Sequence, residues 1–245
     1  MNIKQEKHTR RLSQHKEAQL LAKHISEKCS SLHGNEQLSD VELLKNHLLF
    51  ISVTFKPGTV AVKHTCKPSP MRAFSLFYRN WMADCLGGNI ARKRHYQPLT
   101  WAFVDVEGSR QVRNRKGIFV TPTQRGEKVI DPRLANWPHV HALSLIDSSL
   151  RDKIQCQLAA PWLCSAFKHP GIDVEASWFD PSKSSLVDLI SYCSKGMWQI
   201  AEADRDDFLG IFPPAKAQQC RATLSIENRT HYASYLQHRQ QTLGW

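Results

Sequence analysis

Two histidines separated by one valine, His139 and His141, stand in the stretch Pro-His-Val-His-Ala-Leu at 138–143. In an extended chain alternate residues leave the same face, which sets these imidazoles about 6 to 7 Å apart along the strand. Two neutral imidazoles so placed can share one divalent cation. Tyr192 and Lys195, in Leu-Ile-Ser-Tyr-Cys-Ser-Lys-Gly at 189–196, are three positions apart and share a face if the segment is helical. A phenol, whose ordinary pKa is about 10, is a poor nucleophile in neutral water. An ammonium group beside it favours the phenolate or offsets charge on a phosphate. Each pair also has a plainer reading, as structural histidines and as a core tyrosine with one wet hydroxyl. Their conjunction in one basic chain gives them weight.

The elements that must position these residues follow from periodicity and punctuation. His139 to Ile146 reads as a strand, and Ser184 to Met197 as the helix bearing Tyr192 and Lys195. Leu48 to Phe55 (LLFISVTF) is β-branched, aromatic and closed by Pro57-Gly58, so it reads as a buried strand. Leu99 to Gly108 alternates, with Trp101, Phe103, Asp105 and Glu107 on one face and Ala102, Val104 and Val106 on the other. Helices are expected from Ser69 to Leu86, with Pro70 at the start and Gly87-Gly88 at the end, and from Ser148 to Leu158; Ile172 to Phe179 is a further strand. The order β-α-β-β-α-β, followed by a helix, is that of a split βαβ, ferredoxin-like α+β layer of antiparallel strands.

Around this core, residues 1–46 read as an N-terminal extension dominated by a basic helix from Lys4 to Cys29. Residues 47–197 form the main domain, 108–136 a basic hairpin or flap inserted in it, and 198–245 a C-terminal appendage with a short helix near 230–242.

The chain of 245 residues carries 33 Lys and Arg against 22 Asp and Glu, a formal charge of +11. Such a surface attracts polyanions, nucleic acid first among them. The natural phosphate contacts are Arg110, Arg113, Arg115 and Lys116 in the flap and the run Arg92, Lys93, Arg94, although a short charged turn is often only a solvated surface. Trp137, Trp162, Trp178 and Trp198 can stack on bases or pack in the core. No apolar run approaches the roughly 18 residues of a membrane span. The charged first twenty residues lack a secretion signal, and the seven cysteines contain no Cys-x-x-Cys pair, so a reducing cytoplasm is expected. Cys193, beside Tyr192, reads as a small buried helix residue. No phosphate-binding GxxxxGK[ST] loop occurs, so any strand separation falls to another protein.

Taken together, Phe-Ile-Ser-Val-Thr-Phe at 50–55, Pro-His-Val-His-Ala-Leu at 138–143 and Tyr-Cys-Ser-Lys-Gly at 192–196 resemble the motifs of HUH endonucleases. Among these the chain is most similar to rolling-circle replication initiators of plasmids, phages and single-stranded DNA viruses, over about residues 47–197. The resemblance implies that His139 and His141 are metal ligands, Tyr192 the nucleophile and Lys195 its helper. It also implies a third polar ligand, for which Glu107 is the first candidate and Asp105 the next, with Asp131 or His47 left open because the family's acid stands closer to the histidines in sequence. Position 196 is Gly, so no second tyrosine follows one turn on, as in single-tyrosine enzymes. The implied cofactor is Mn²⁺ or Mg²⁺, the substrate single-stranded or melted origin DNA, and the partners a host helicase and polymerase. Rival readings are a transposase of the same chemistry, a relaxase, whose tyrosine would precede the histidines, and a non-catalytic basic DNA-binding protein.

Overall fold

The computed structural model describes residues 3–33, 38–56, 59–60, 69–88, 90–105, 112–113, 119–120, 138–195 and 209–213. In chain order the elements are α1 (Ile3–His33), α2 (Asp40–His47), β1 (Leu48–Phe55), α3 (Pro70–Leu86), β2 (Leu99–Asp105), β3 (Val112–Arg113), β4 (Phe119–Val120), β5 (His139–Leu145), α4 (Ser148–Ala159), β6 (Ile172–Trp178), α5 (Leu186–Cys193) and β7 (Leu209–Phe212). Five strands form one antiparallel sheet in the order β6-β1-β5-β2-β7, and β3 pairs with β4 alone, inside the segment expected as a basic hairpin. The protein is α+β, and its sheet is compatible with a ferredoxin-like arrangement, with β5 at the centre.

Local chemistry sets the helix ends. Ser69 caps α3 by accepting from the Arg72 amide, Pro70 occupies the first turn, and Gly87 follows with a φ of 69°, where a β-carbon would strain the backbone. Asp147 and Ser185 cap α4 and α5 in the same way. Ser39 and Glu42 form a reciprocal capping box at the start of α2.

The strand alternation separates two cores. Leu49, Ile51, Val53 and Phe55 of β1, Ala102 and Val104 of β2, and Val140 and Ala142 of β5 face α3 and α4, where Phe74, Phe77, Tyr78, Trp81 and Ile154 bury them. The opposite face packs against α1, α2 and α5 through Ala18, Ala22, Ile25, Leu43, Leu44, Leu186 and Ile190. Helices therefore cover both faces of the sheet.

Three expectations change here. The segment 1–46 is more than an extension, because α1 and α2 supply much of the second core. Within the C-terminal appendage, β7 joins the sheet edge beside β2. The tyrosine helix ends at Cys193 rather than Met197, where the Ser194 hydroxyl turns back to donate to the Ile190 carbonyl.

Candidate active site

Strand register assembles the site. On the α1/α2/α5 face, three strands line up in rows: Leu48, Leu145 and Leu99; then Phe50, Leu143 and Trp101; then Ser52, His141 and Phe103; then Thr54, His139 and Asp105. The rows pass from wholly apolar to wholly polar along the sheet. The last two rows form the site, and β6 continues them with Glu175 beside Ser52 and Asp173 beside Thr54.

Asp105, His139 and His141 are all buried, and one ligand atom from each lies within 4.8 Å of the others. The His139 Nε2 is 3.2 Å and the His141 Nε2 3.9 Å from Asp105 Oδ2, and the two imidazole centroids are 4.5 Å apart. Lys195 places its Nζ 2.9 Å from the same carboxylate oxygen. That ammonium also sits 4.5 Å from the centre of the Tyr192 ring, and the Tyr192 ring is 4.9 Å from that of His141. Tyr192 is 43% exposed, so the phenol stands at the mouth of a cluster whose floor is closed to solvent.

Burial by itself would raise the Asp105 carboxyl. Hydrogen bonding and charge from His139, then from Lys195, outweigh burial and hold it well below the usual carboxylate range. His141 moves the other way: burial, reinforced by the charges of His139 and Lys195 and opposed by Asp105, pushes its imidazole down to about 3. A carboxylate fixed as the anion beside an imidazole fixed as neutral is the protonation state a cation ligand set needs.

Two further observations test whether these residues fit a divalent metal. Neither ring nitrogen of buried His141 has a hydrogen-bond partner among the described residues, although buried polar atoms are nearly always satisfied. The Lys195 ammonium already occupies a cation's place against Asp105. The donor set fits a metal.

The structure brings together His139, His141, Tyr192 and Lys195, and it joins to them Asp105, the second candidate for the third ligand. Glu107, the first candidate, lies outside the described residues, as do Asp131, Arg110, Arg115, Lys116, Trp137 and Trp198. Arg113 lies on β3. His47 is not a ligand, because it sits where β1 starts, at the far end of the sheet, with Nδ1 against the Ile146 carbonyl at 3.0 Å.

The run Arg92, Lys93, Arg94 precedes Leu99, about 20 Å along β2 from Asp105. Lys93 donates to the carbonyls of Leu86 and Gly87 at 2.6 and 3.2 Å, so it closes the C-terminus of α3. Trp178 packs half-buried on the α3/α4 side, under the Arg151 guanidinium, away from the site. Trp162 is exposed just beyond α4, next to Cys164 of that same core. Cys193 is fully buried, and burial pushes its thiol up, out of reach of neutral-pH chemistry.

Sequence reasoning missed α2 and the contact of α1 with the tyrosine helix, where Gln14 Nε2 donates to the Ser191 carbonyl at 2.9 Å. The Ser39-Asp-Val-Glu42 capping box was the available signal for α2. No family model matches this chain, and neither a curated protein nor a solved structure does. Among the described residues, no helix is long and apolar enough to cross a membrane.

Proposed function

We propose that the chain is a metal-dependent, single-tyrosine DNA nicking and joining enzyme of HUH type, acting in the cytoplasm on single-stranded or locally melted origin DNA to start rolling-circle replication. The observation that carries this reading is the convergence of the buried Asp105, His139 and His141 cluster with an exposed Tyr192 and the Lys195 ammonium between them. Asp105, His139 and His141 would hold the ion, Mn²⁺ by the mixed nitrogen and oxygen ligation or Mg²⁺ by abundance. When bound, it supplies Lewis-acid polarisation of a non-bridging phosphate oxygen.

The protein's own groups do the rest. Tyr192 Oη loses its proton to solvent and attacks the phosphorus; the bond to the 3′ oxygen breaks, and that oxygen leaves as a 3′-hydroxyl after taking up a proton. The 5′ phosphate stays on the tyrosine as an ester, which a later 3′-hydroxyl can attack to rejoin the strand. Lys195 stabilises the phenolate and the charge that grows on the phosphate. Its ammonium stands between Asp105 and Tyr192, 2.9 Å from Asp105 Oδ2 and 4.5 Å from the centre of the Tyr192 ring. His141, held neutral, keeps its nitrogens available as ligands. A helicase and a polymerase of the host would open and extend the strand.

The test is incubation with a labelled pool of single-stranded oligonucleotides of randomised sequence, with Mn²⁺ or with EDTA, resolved on a denaturing gel. Cleavage and an SDS-stable protein adduct are expected with Mn²⁺ only, and Lys195→Ala slows adduct formation without abolishing it. Absence of both products at every metal tried favours the non-catalytic DNA-binding reading.

A further inference from the structure

The helix that carries the tyrosine is short: α5 runs only from Leu186 to Cys193, and Tyr192 stands in its last turn. Its start is held by Ser185, whose hydroxyl accepts from the Asp188 amide at 3.1 Å and donates to the Asp188 carboxylate at 2.6 Å. Its end must be closed by other means, because the last four carbonyls of a helix have no partner within it. The Ile190 carbonyl takes both the Ser194 amide, at 2.9 Å, and the Ser194 hydroxyl, at 2.8 Å. The Ser191 carbonyl would accept from the Lys195 amide if the helix ran on. It accepts instead from Gln14 Nε2 at 2.9 Å, a bond that reaches across 177 positions of the chain to α1. The backbone leaves the helix there, and the Lys195 ammonium reaches Asp105 Oδ2 at 2.9 Å while standing 4.5 Å from the centre of the Tyr192 ring.

Docking of α1 does not call for this amide, because Ala18, Ala22, Ile25 and Cys29 already bury one face of the helix in the second core. Gln14 lies one turn before Ala18 and is half-buried, a place where a leucine would extend the apolar stripe. The amide adds direction in place of area, since it fixes one backbone atom, in the residue beside the tyrosine. We propose that Gln14 is a positioning residue for Tyr192 and Lys195. By taking the Ser191 carbonyl it ends α5 just after the tyrosine, sets where the phenol stands against the cluster and lets Lys195 turn to Asp105. The inference rests on the nuclease reading for the reaction that this placement serves.

The test uses the full chain and two measurements. The first is the rate of SDS-stable adduct formation with Mn²⁺ across concentrations of the single-stranded oligonucleotide pool. The second is the fluorine NMR spectrum of protein labelled with 3-fluorotyrosine, in EDTA and without DNA, with the Tyr192 signal assigned by its loss in Tyr192→Phe. Gln14→Leu has no donor, and Gln14→Glu keeps the shape but can only accept. Each should slow adduct formation at saturating oligonucleotide by about 10- to 100-fold, the scale of a small misplacement of a reacting group, with the half-saturating concentration unchanged. Each should also move the Tyr192 fluorine signal and leave those of Tyr78 and Tyr96 in place. Gln14→Lys, whose ammonium can donate to the end of the helix, should restore both readings towards wild type. Gln19→Glu makes the same charge change at an exposed position on α1 and should alter neither. Circular dichroism and urea unfolding check that each variant is folded.

A wild-type rate in Gln14→Leu and Gln14→Glu, a loss confined to the half-saturating concentration, an equal loss in Gln19→Glu, or a Tyr192 signal that stays in place would each overturn the proposal. Failure of the nuclease reading shows separately, as a wild type that forms no adduct; the fluorine signal, which needs neither DNA nor metal, still reports whether Gln14 places the phenol.

Discussion

The two faces of the sheet are built from the same three central strands, yet only one ends in a cluster of ionisable groups. The face towards α3 and α4 is apolar apart from one buried hydroxyl pair, Thr100 and Ser144, which satisfy each other at 2.7 Å, and it is closed by Phe74, Phe77, Tyr78 and Trp81. The face towards α1, α2 and α5 starts apolar at Leu48, Leu145 and Leu99 and ends at Thr54, His139 and Asp105. Stability is concentrated on the first face and in the apolar half of the second. The remaining rows hold buried polar groups, where desolvation itself keeps His141 neutral but works against an anionic Asp105, which His139 and Lys195 hold in its charged form. Substitutions on the two faces should therefore separate folding from chemistry.

The largest separation is expected from His139→Ala with His141→Ala. Cleavage in the presence of Mn²⁺ falls to background; both rings are buried and His141 packs on Phe50 and Tyr192, so urea unfolding is measured alongside and cleavage is compared per folded molecule. Wild-type cleavage by this double variant would remove the metal from the account. Trp81→Ala on the opposite face should do the reverse, costing about 3 to 5 kcal/mol in urea unfolding, since Trp81 is fully buried and packs on Phe77, Tyr78 and Phe167. The fraction still folded should cleave normally.

A smaller effect comes from pH in the metal-free protein. His141 is depressed from its ordinary value of about 6.5 to about 3 in the fold, so between these values the unfolded chain takes up a proton that the folded chain refuses. Stability is therefore complete above about pH 6.5 and declines as pH falls, by up to about 1.4 kcal/mol per unit from this group. His141→Leu should flatten that part of the profile in denaturant titrations; a profile as steep as that of the wild type would place the titrating group elsewhere. The smallest effect is expected at α2, where Ser39→Ala removes the capping box and should cost about 1 kcal/mol with cleavage unchanged.

Much of this contrast was legible in the sequence, because it depends on alternation. The parity of Trp101, Phe103 and Asp105 against Ala102 and Val104 is a property of an extended chain, and so is the shared face of His139 and His141. What alternation cannot supply is register: Asp105 and Glu107 have the same parity, and only the pairing of β2 with β5 sets Asp105 directly opposite His139. The end of α5 at Cys193 was hidden for a similar reason. Nothing local to Ser194 announces that its hydroxyl will bond back to Ile190 and deliver Lys195 from a turn. Charge carries no direction in a sequence, so the basic run at Arg92 to Arg94 gave no sign of the intramolecular contact its middle residue makes. In three dimensions Lys93 serves the end of α3. The four-residue strand β7, separated from the core by an acidic stretch, was too short to give a periodic signal.

The claim that matters most is that Tyr192 forms a covalent bond with DNA. Protein incubated with the randomised single-stranded pool and Mn²⁺, digested with nuclease and then with protease, should yield one peptide carrying a residual nucleotide on Tyr192 by mass spectrometry. Tyr192→Phe, which removes only the hydroxyl from a half-exposed ring, should keep the fold and the DNA affinity and yield no such peptide. A nucleotide mapped to another residue, or an undiminished adduct in Tyr192→Phe, would contradict the account.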